Sequence, residues 1–142
     1  MEFLTDLSTF TDYLPEIVKL HQKNNDRFPT GMGDLDVASE LIKVFKGPNL
    51  TVLETFEYNN EIKFFSSIEL FPKENKAFWW MVYSHPRNKD LTNPKMEALA
   101  QYLKSQGYTQ IDSLTTRVTP SYKRWMKKLN FFPSRVYYKR VL

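Results

Sequence analysis

Basic and polar residues that could bind an anion are concentrated in one stretch, between an apolar segment and a helical pattern. The segment Ala77–Tyr83 is apolar without alternation, which is typical of a strand buried on both faces. The run from Ser84 to Asp90 is polar and contains a proline, and apolar residues recur at helical spacing from Thr92. Because unpaired backbone N–H groups point out of a helix start, this order of elements predicts an anion site.

One residue in this stretch could also move protons. His85 follows the predicted strand directly, and the charge of an imidazole changes near pH 7. A loop histidine is more often a bystander, so a structural role is the alternative. The chain has no cysteine, only two histidines, and no G-x-S-x-G, P-loop or dinucleotide motif. These absences argue against thiolate chemistry and bound metal, and we expect no metal site.

Positive charge is concentrated near the end of the chain. The net charge is +4, but no acidic residue follows Asp112, so residues 113–142 carry +8 and the rest carries −4. The predicted basic surface consists of Lys123, Arg124, Lys127, Lys128, Arg135, Lys139 and Arg140. Such a surface suggests a phosphate-bearing cofactor, a nucleic acid or an acidic protein, and a solvated face is the alternative. Interleaved aromatic residues such as Trp125 could stack on bases, although their spacing also fits a helix core.

Two helices are predicted before the sheet begins. Residues 6–24 carry apolar residues at spacings of three and four, which predicts one amphipathic helix or two short ones divided near Pro15. After a polar loop, Asp34 is a suitable N-cap for a second helix that Gly47-Pro48 would end.

The apolar period then changes to two. Leu50–Tyr58 and Ile62–Leu70 alternate around Asn59-Asn60, which predicts a β-hairpin. In the central strand that follows, we expect Trp79 and Trp80 to place one ring on each face of the sheet, inside the core.

The remaining elements alternate between helix and strand. The helix from Thr92 should stop at Gly107, and residues 109–115 predict a strand. Pro120 could open a last helix, with Asn130 in the left-handed position after it, and residues 134–142 read as a closing strand.

This order predicts an α/β (α+β) fold in one domain, residues 1–142, with a mixed, mostly antiparallel central sheet flanked by about four helices. The N-terminus lacks a basic segment followed by an apolar core, so we expect no cleavable secretory signal. No apolar run approaches the roughly 18 residues of a membrane span. With the absence of cysteine, these features predict a cytoplasmic location and no membrane partner.

The chain resembles the GNAT superfamily of acetyl-CoA-dependent N-acetyltransferases. That family shows a strand ending in Val, a loop with the pattern R/Q-x-x-G-x-G/A, and a helix ending in Gly. Here Val82 stands five residues before Arg87, and Gly107 stands twenty after it. The element order agrees over nearly the whole length, so the resemblance implies a GNAT-like fold.

Several positions depart from the family pattern. The two loop glycines correspond to Asp90 and Thr92, and glycines there let the backbone approach a pyrophosphate closely. Thr92 is better explained as the N-cap of the next helix. The family's usual general acid, a tyrosine, corresponds to Met126, and Tyr122 lies one helical turn earlier. These departures predict a degenerate acetyltransferase site.

The resemblance also implies which residues would act if the activity is retained. The residues implied to bind acetyl-CoA are Met81, Val82, Tyr83, Arg87, Asn88, Lys89, Thr92 and Asn93. Backbone N–H groups of the first three would polarise the thioester carbonyl, and the others would hold the pyrophosphate. Tyr122 and His85 are the candidates for proton transfer during acetylation of a primary amine.

Three functions are therefore compatible with the sequence. The first is a GNAT-like protein with a weakened or lost site that serves in binding or structure. Examples are a virion-associated protein of a bacteriophage, which would lie within a virus particle, or an accessory protein with a protein partner or self-association. The second is an active acetyl-CoA-dependent N-acetyltransferase. The third is nucleic-acid binding through the basic C-terminal segment.

Overall fold

The computed structural model describes residues 1–27, 34–113 and 120–133, and its centre is a four-stranded sheet. The strands, in their order across the sheet, are β1 (Asn49–Thr55), β2 (Ile62–Phe71), β3 (Lys76–Ser84) and β4 (Gln110–Ser113). The first three pair antiparallel, and β4 pairs parallel to β3. The predicted mixed, mostly antiparallel sheet is therefore confirmed.

Four α-helices accompany the sheet in the described part of the chain. They are α1 (Leu7–Arg27), α2 (Asp34–Lys46), α3 (Thr92–Ser105) and α4 (Pro120–Lys128). Short 3₁₀ helices span Pro72–Glu74 and Pro86–Leu91. Since α3 connects β3 to the parallel strand β4, it is the predicted crossover. The predicted closing strand, 134–142, and the second part of the predicted strand 109–115 lie outside the described residues.

The helices cover both faces of the sheet, so there is one hydrophobic core on each face. Neighbouring residues of β2 contribute to both cores. Phe64 of β2 packs with Met96 and Leu99 of α3, whereas Phe65 packs with residues of α1 and α2. Both phenylalanines are at most 1% exposed. Because successive strand side chains point to opposite faces, this pair shows directly that the sheet is buried on two sides.

The first helix takes one of its two predicted forms. α1 is a single helix that continues beyond the predicted end to Arg27, and it contains Pro15 in its interior, where a proline costs about 3 kcal/mol. Phe10 and Ile17 of the same helix are buried in the core, and this burial outweighs the local cost. Asp6 caps the helix, because its carboxylate accepts hydrogen bonds from the Thr9 N–H and hydroxyl; these bonds lower the Asp6 pKa.

Asparagine and glycine end several elements in the left-handed backbone region. Asn60 in the β1–β2 turn has φ 56°, and Asn75 before β3 has φ 53°. The left-handed position predicted at Asn130 is confirmed, with φ 61°, and Gly107, where α3 was predicted to stop, has φ 91°. At both helix ends the two following N–H groups bond back to the last turn, as in a Schellman motif.

The two tryptophans of β3 have different environments. Trp79 is 4% exposed and donates its indole N–H to Ser66 Oγ at 2.7 Å. Trp80 is 36% exposed and donates to Glu69 Oε1 at 3.0 Å, so the prediction that both rings are in the core is wrong for Trp80. The physical reason is a β-bulge: Ile68 pairs with Trp79 and Ser67 pairs with Met81, which leaves Trp80 as the extra residue.

In the described ranges, no helix combines the length and the apolar character that crossing a membrane requires.

The two tryptophans provide a matched test of this core. Trp79→Phe removes a buried hydrogen bond and leaves the fully buried Ser66 hydroxyl without its donor, so we expect a loss of about 2–4 kcal/mol in the free energy of unfolding. Trp80→Phe should cost less than about 1 kcal/mol. Urea denaturation measures both, and the double variant Trp79→Phe/Ser66→Ala should lose less than the sum of its single variants. Equal losses at Trp79 and Trp80 would contradict the assignment.

Candidate active site

The second half of β3 extends beyond its described pairing with β4. β4 pairs with Lys76–Trp79, and no described residue pairs with the rest of β3 on that side. The His85 N–H donates to Lys63 O on the β2 side. Because N–H groups alternate in direction along an antiparallel strand, those of Val82 and Ser84 point away from β2. An N–H group in this position can donate to the oxygen of a bound carbonyl group.

The side chains around this N–H group lie on both faces of the sheet. Val82 packs on the side of α3, whereas Met81 and Tyr83 pack on the side of α1 and α2. Burial raises the pKa of Tyr83, and the negative charges of Glu61 and Glu16 raise it further. Tyr83 is therefore a neutral phenol at physiological pH and can donate a hydrogen bond.

The predicted loop after β3 consists of 3₁₀-helical turns over Pro86–Leu91, with a kink at Asn88 (φ −125°, ψ 21°), and it leads directly into α3. None of its residues has a positive φ, so this conformation has no need of the glycines that the family pattern contains. Its turns use N–H groups internally: Asn88 N–H donates to His85 O, and Thr92 N–H donates to Lys89 O. Pro94 in the first turn of α3 has no N–H group, so the helix start has fewer free donors than predicted.

Thr92 does not cap α3, contrary to the prediction. Its backbone is already helical, with φ −60° and ψ −54°, because the 3₁₀ helix leads into α3 without a break. Its hydroxyl donates instead to Ser84 Oγ at 2.7 Å, which ties the helix start to the end of β3.

Other polar side chains of the first turn of α3 also have partners. Asn93 Oδ1 accepts a hydrogen bond of 2.6 Å from the Trp125 indole, which joins α3 to α4. Lys95 Nζ forms an ion pair of 2.6 Å with Glu54 of β1. These contacts hold Asn93 Oδ1 against α4 and the Lys95 ammonium group against β1.

The basic residues of the 3₁₀ helix are the cations accessible at this end of β3. Arg87 is exposed and donates to the Tyr58 hydroxyl at 3.0 Å, and Lys89 is exposed without a described partner. Asp90 is exposed beside them. Asn88 is half-buried, and its amide nitrogen is buried without a hydrogen-bond partner among the described residues.

His85 uses both ring nitrogens. Nδ1 accepts from the Arg87 N–H at 3.2 Å, so Nδ1 carries no hydrogen, and Nε2 donates to Glu61 Oε1 at 3.2 Å. The ring edge also contacts Phe56, with centroids 5.1 Å apart. His85 thus caps the 3₁₀ helix and joins it to Glu61 at the start of β2.

The sequence reasoning did not identify Glu61 or Tyr58 as neighbours of His85 and Arg87. Glu61 is 24 residues from His85, and Tyr58 is 29 residues from Arg87. These contacts form because the β1–β2 turn and the end of β3 meet at the same end of the sheet. The alternating pattern of the hairpin was visible, but the register between β2 and β3 was not.

The second predicted proton donor lies on α4. The backbone of Tyr122 belongs to this helix, but its side chain lies outside what the structure describes. Met126 is half-buried on the same helix, and Lys123, Arg124, Lys127 and Lys128 are exposed. The other residues of the predicted basic surface, Arg135, Lys139 and Arg140, lie outside the described residues.

An open hollow and the acidic and histidine side chains were the remaining places where a ligand or a metal ion could bind. An open hollow of about 420 Å³ lies beside the first turn of α3, and it is lined by Met1, Glu2, Glu54, Pro94, Lys95 and Ala98. No group of three histidine or acidic side chains that could hold a metal ion occurs within residues 1–27, 34–113 and 120–133.

Comparison with known proteins identifies the fold through structure alone. No family model matches the sequence, and no curated protein matches it. YycN of Bacillus subtilis, provisionally named an acetyltransferase, is 15% identical with a TM-score of 0.70, over 96% of this chain and 94% of YycN. The aminoglycoside acetyltransferase meta-AAC0020 from an uncultured soil metagenomic sample, in complex with sisomicin, is 12% identical with a TM-score of 0.61, over 92% and 91%.

A third structure contains part of the acyl donor. AAC(6')-Iy in complex with the bisubstrate analog CoA-S-monomethyl-acetylneamine is 12% identical with a TM-score of 0.57, over 92% of each chain. At these identities the likeness concerns the fold. The chain has the fold of the GNAT superfamily of acetyltransferases.

Proposed function

We propose that this protein transfers an acetyl group from acetyl-CoA to a primary amine. The observation that carries the proposal is the direction of the Val82 N–H, which faces away from β2 and has no partner among the described residues, at the end of β3 that leads to His85. Arg87 and Lys89 lie at the same end of β3. The same fold accommodates a CoA-containing bisubstrate analog in AAC(6')-Iy, and both chains are covered almost completely in that comparison.

The described residues fit part of the acyl donor. The Val82 N–H would donate to the carbonyl oxygen of the thioester, where negative charge develops during acyl transfer. Arg87 and Lys89 would pair with the pyrophosphate, since both are exposed and unpaired with carboxylates in the described part of the chain. Acetyl-CoA supplies the acetyl group as a thioester.

The reaction forms a carbon–nitrogen bond and breaks a carbon–sulfur bond, so two proton transfers are required. We assign Tyr122 as the general acid that donates a proton to the departing thiolate. We assign His85 as the general base that accepts the amine proton. Its Nδ1 atom becomes available when the hydrogen bond from the Arg87 N–H breaks. Glu61, 3.2 Å from Nε2, would stabilise the imidazolium that results.

A second candidate is a GNAT-like binding or structural protein without this activity, such as a virion-associated or accessory protein. The start of α3 favours it, because Asn93 and Lys95 are engaged by Trp125 and Glu54 and because Pro94 lacks an N–H group. Asp90 adds a negative charge where a pyrophosphate would lie. These features predict weak binding of CoA.

Acetyl-CoA binding separates the two candidates. If the site binds the acyl donor, millimolar acetyl-CoA at about 100 times its dissociation constant should raise the melting temperature by roughly 6–10 °C. Free CoA and ATP serve as ligand controls. No shift, or an equal shift with ATP, would favour the second candidate.

The position of the pyrophosphate can be tested by removing the charge of Asp90, which should increase the affinity for acetyl-CoA. Asp90→Asn removes a negative charge beside the expected pyrophosphate, so we expect acetyl-CoA to bind about 3- to 10-fold more tightly by calorimetry. Asp12→Asn, on the exposed side of α1, changes the net charge equally and is the matched control. Equal affinities for Asp90→Asn and the unmodified protein would place the pyrophosphate elsewhere.

The role of Tyr122 is tested by kinetics with a panel of primary amines. Tyr122→Phe should lower kcat at least 100-fold, with little change in the KM for acetyl-CoA, because only the proton donor is lost. Tyr102→Phe, on α3 and 37% exposed, is the control and should keep full activity. An unchanged kcat in Tyr122→Phe would exclude this residue as the acid.

A further inference from the structure

We propose that the exposed side of α4 binds single-stranded nucleic acid. The site consists of a basic strip, defined as Lys123, Arg124, Lys127 and Lys128, together with Phe132 beyond the helix end. Phosphate groups would pair with the strip, and a base would stack on the phenylalanine ring. None of these five residues is assigned to the proposed acetyl-transfer site, so either proposal can fail without the other.

The four residues of the basic strip form one continuous exposed surface. They are spaced at i, i+3 and i+4, which places neighbouring side chains about 5–6 Å apart on one side of a helix. No acidic residue follows Asp112, and no residue of the strip has a carboxylate partner in the described part of the chain. Like charges at this spacing destabilise a helix, so an anionic partner would relieve a repulsion that the free protein carries.

The opposite side of α4 fixes the basic strip in place. Trp125 and Leu129 pack against the core on the α3 side of the sheet, and the Trp125 indole donates to Asn93. The basic groups are therefore presented by a helix that is already docked, which lowers the ordering cost of binding.

The exposed ring of Phe132 favours a single-stranded nucleic acid over other polyanions as the partner of this surface. It is 81% exposed, which is the largest exposure among the large apolar side chains in the described residues. The Schellman motif at Asn130 holds the chain against the helix end, and Phe131 packs into the core, so Phe132 stays near Lys128. A single strand offers unpaired bases to such a ring, whereas an acidic protein or a duplex offers none.

The experiment uses the full chain and a fluorescein-labelled 15-nucleotide oligothymidylate, with anisotropy measured between 50 and 200 mM salt. Four phosphate contacts on a single strand predict that log K falls with log salt with a slope of about −2.8 from the strip. Lys127→Gln/Lys128→Gln should reduce the slope by about 1.4 and weaken binding. Lys43→Gln/Lys46→Gln, exposed on α2 across the sheet, is the charge-matched control and should keep the slope.

The contribution of Phe132 is tested separately. Phe132→Ala should weaken binding to the single strand about tenfold and leave the salt slope unchanged, because stacking releases no counterions. Its exposed position should also leave the melting temperature unchanged, which confirms folding. Three outcomes would overturn the proposal: equal binding of a duplex of the same length, equal competition by polyglutamate, or equal losses in the two double-lysine variants.

Discussion

The buried hydrogen bond between the Trp79 indole and the Ser66 hydroxyl fixes β3 against β2 at the place where the site begins. The β-bulge at Trp80 follows immediately, and from there the pairs Ser67–Met81 to Phe64–Ser84 run in regular register. That register decides which side of β3 the Val82 N–H faces and brings His85 beside the β1–β2 turn. The donor at Val82, the His85–Glu61 pair and the contact of Arg87 with Tyr58 all depend on this one alignment.

The elements that the sequence predicted well are those whose apolar residues form a regular pattern. The hairpin, α2 and α3 follow from apolar spacing, the central strand follows from an unbroken apolar run, and Gly107 and Asn130 mark helix ends because few other residues adopt a positive φ. Tertiary packing decides the points that the sequence left open or predicted wrongly. The choice between one helix and two is settled because Phe10 and Ile17 are buried on either side of Pro15, and Trp80 leaves the core because a bulge has no signature in residue types.

The candidate site was predicted less completely than the fold for the same physical reason. Residue types and order located Val82, His85, Arg87 and Lys89 near the end of one strand, and the structure gathers them there. Their partners come from other strands and helices, and sequence spacing carries no information about which group pairs with which. Thr92 illustrates this, because a threonine before a helix is a good cap in isolation but here bonds to Ser84. The chain thus has the fold of the GNAT superfamily, with a loop between β3 and α3 in which no residue has a positive φ.

The described chain adopts the left-handed backbone region at three asparagines, Asn60, Asn75 and Asn130, and at only one glycine. Glycine reaches this region without strain, but it also makes the unfolded chain more flexible, and that freedom must be lost on folding. Asparagine restricts the unfolded ensemble while tolerating the same turn conformation. The turns that hold the hairpin, the start of β3 and the end of α4 therefore stabilise the native state partly by reducing the entropy of the denatured one.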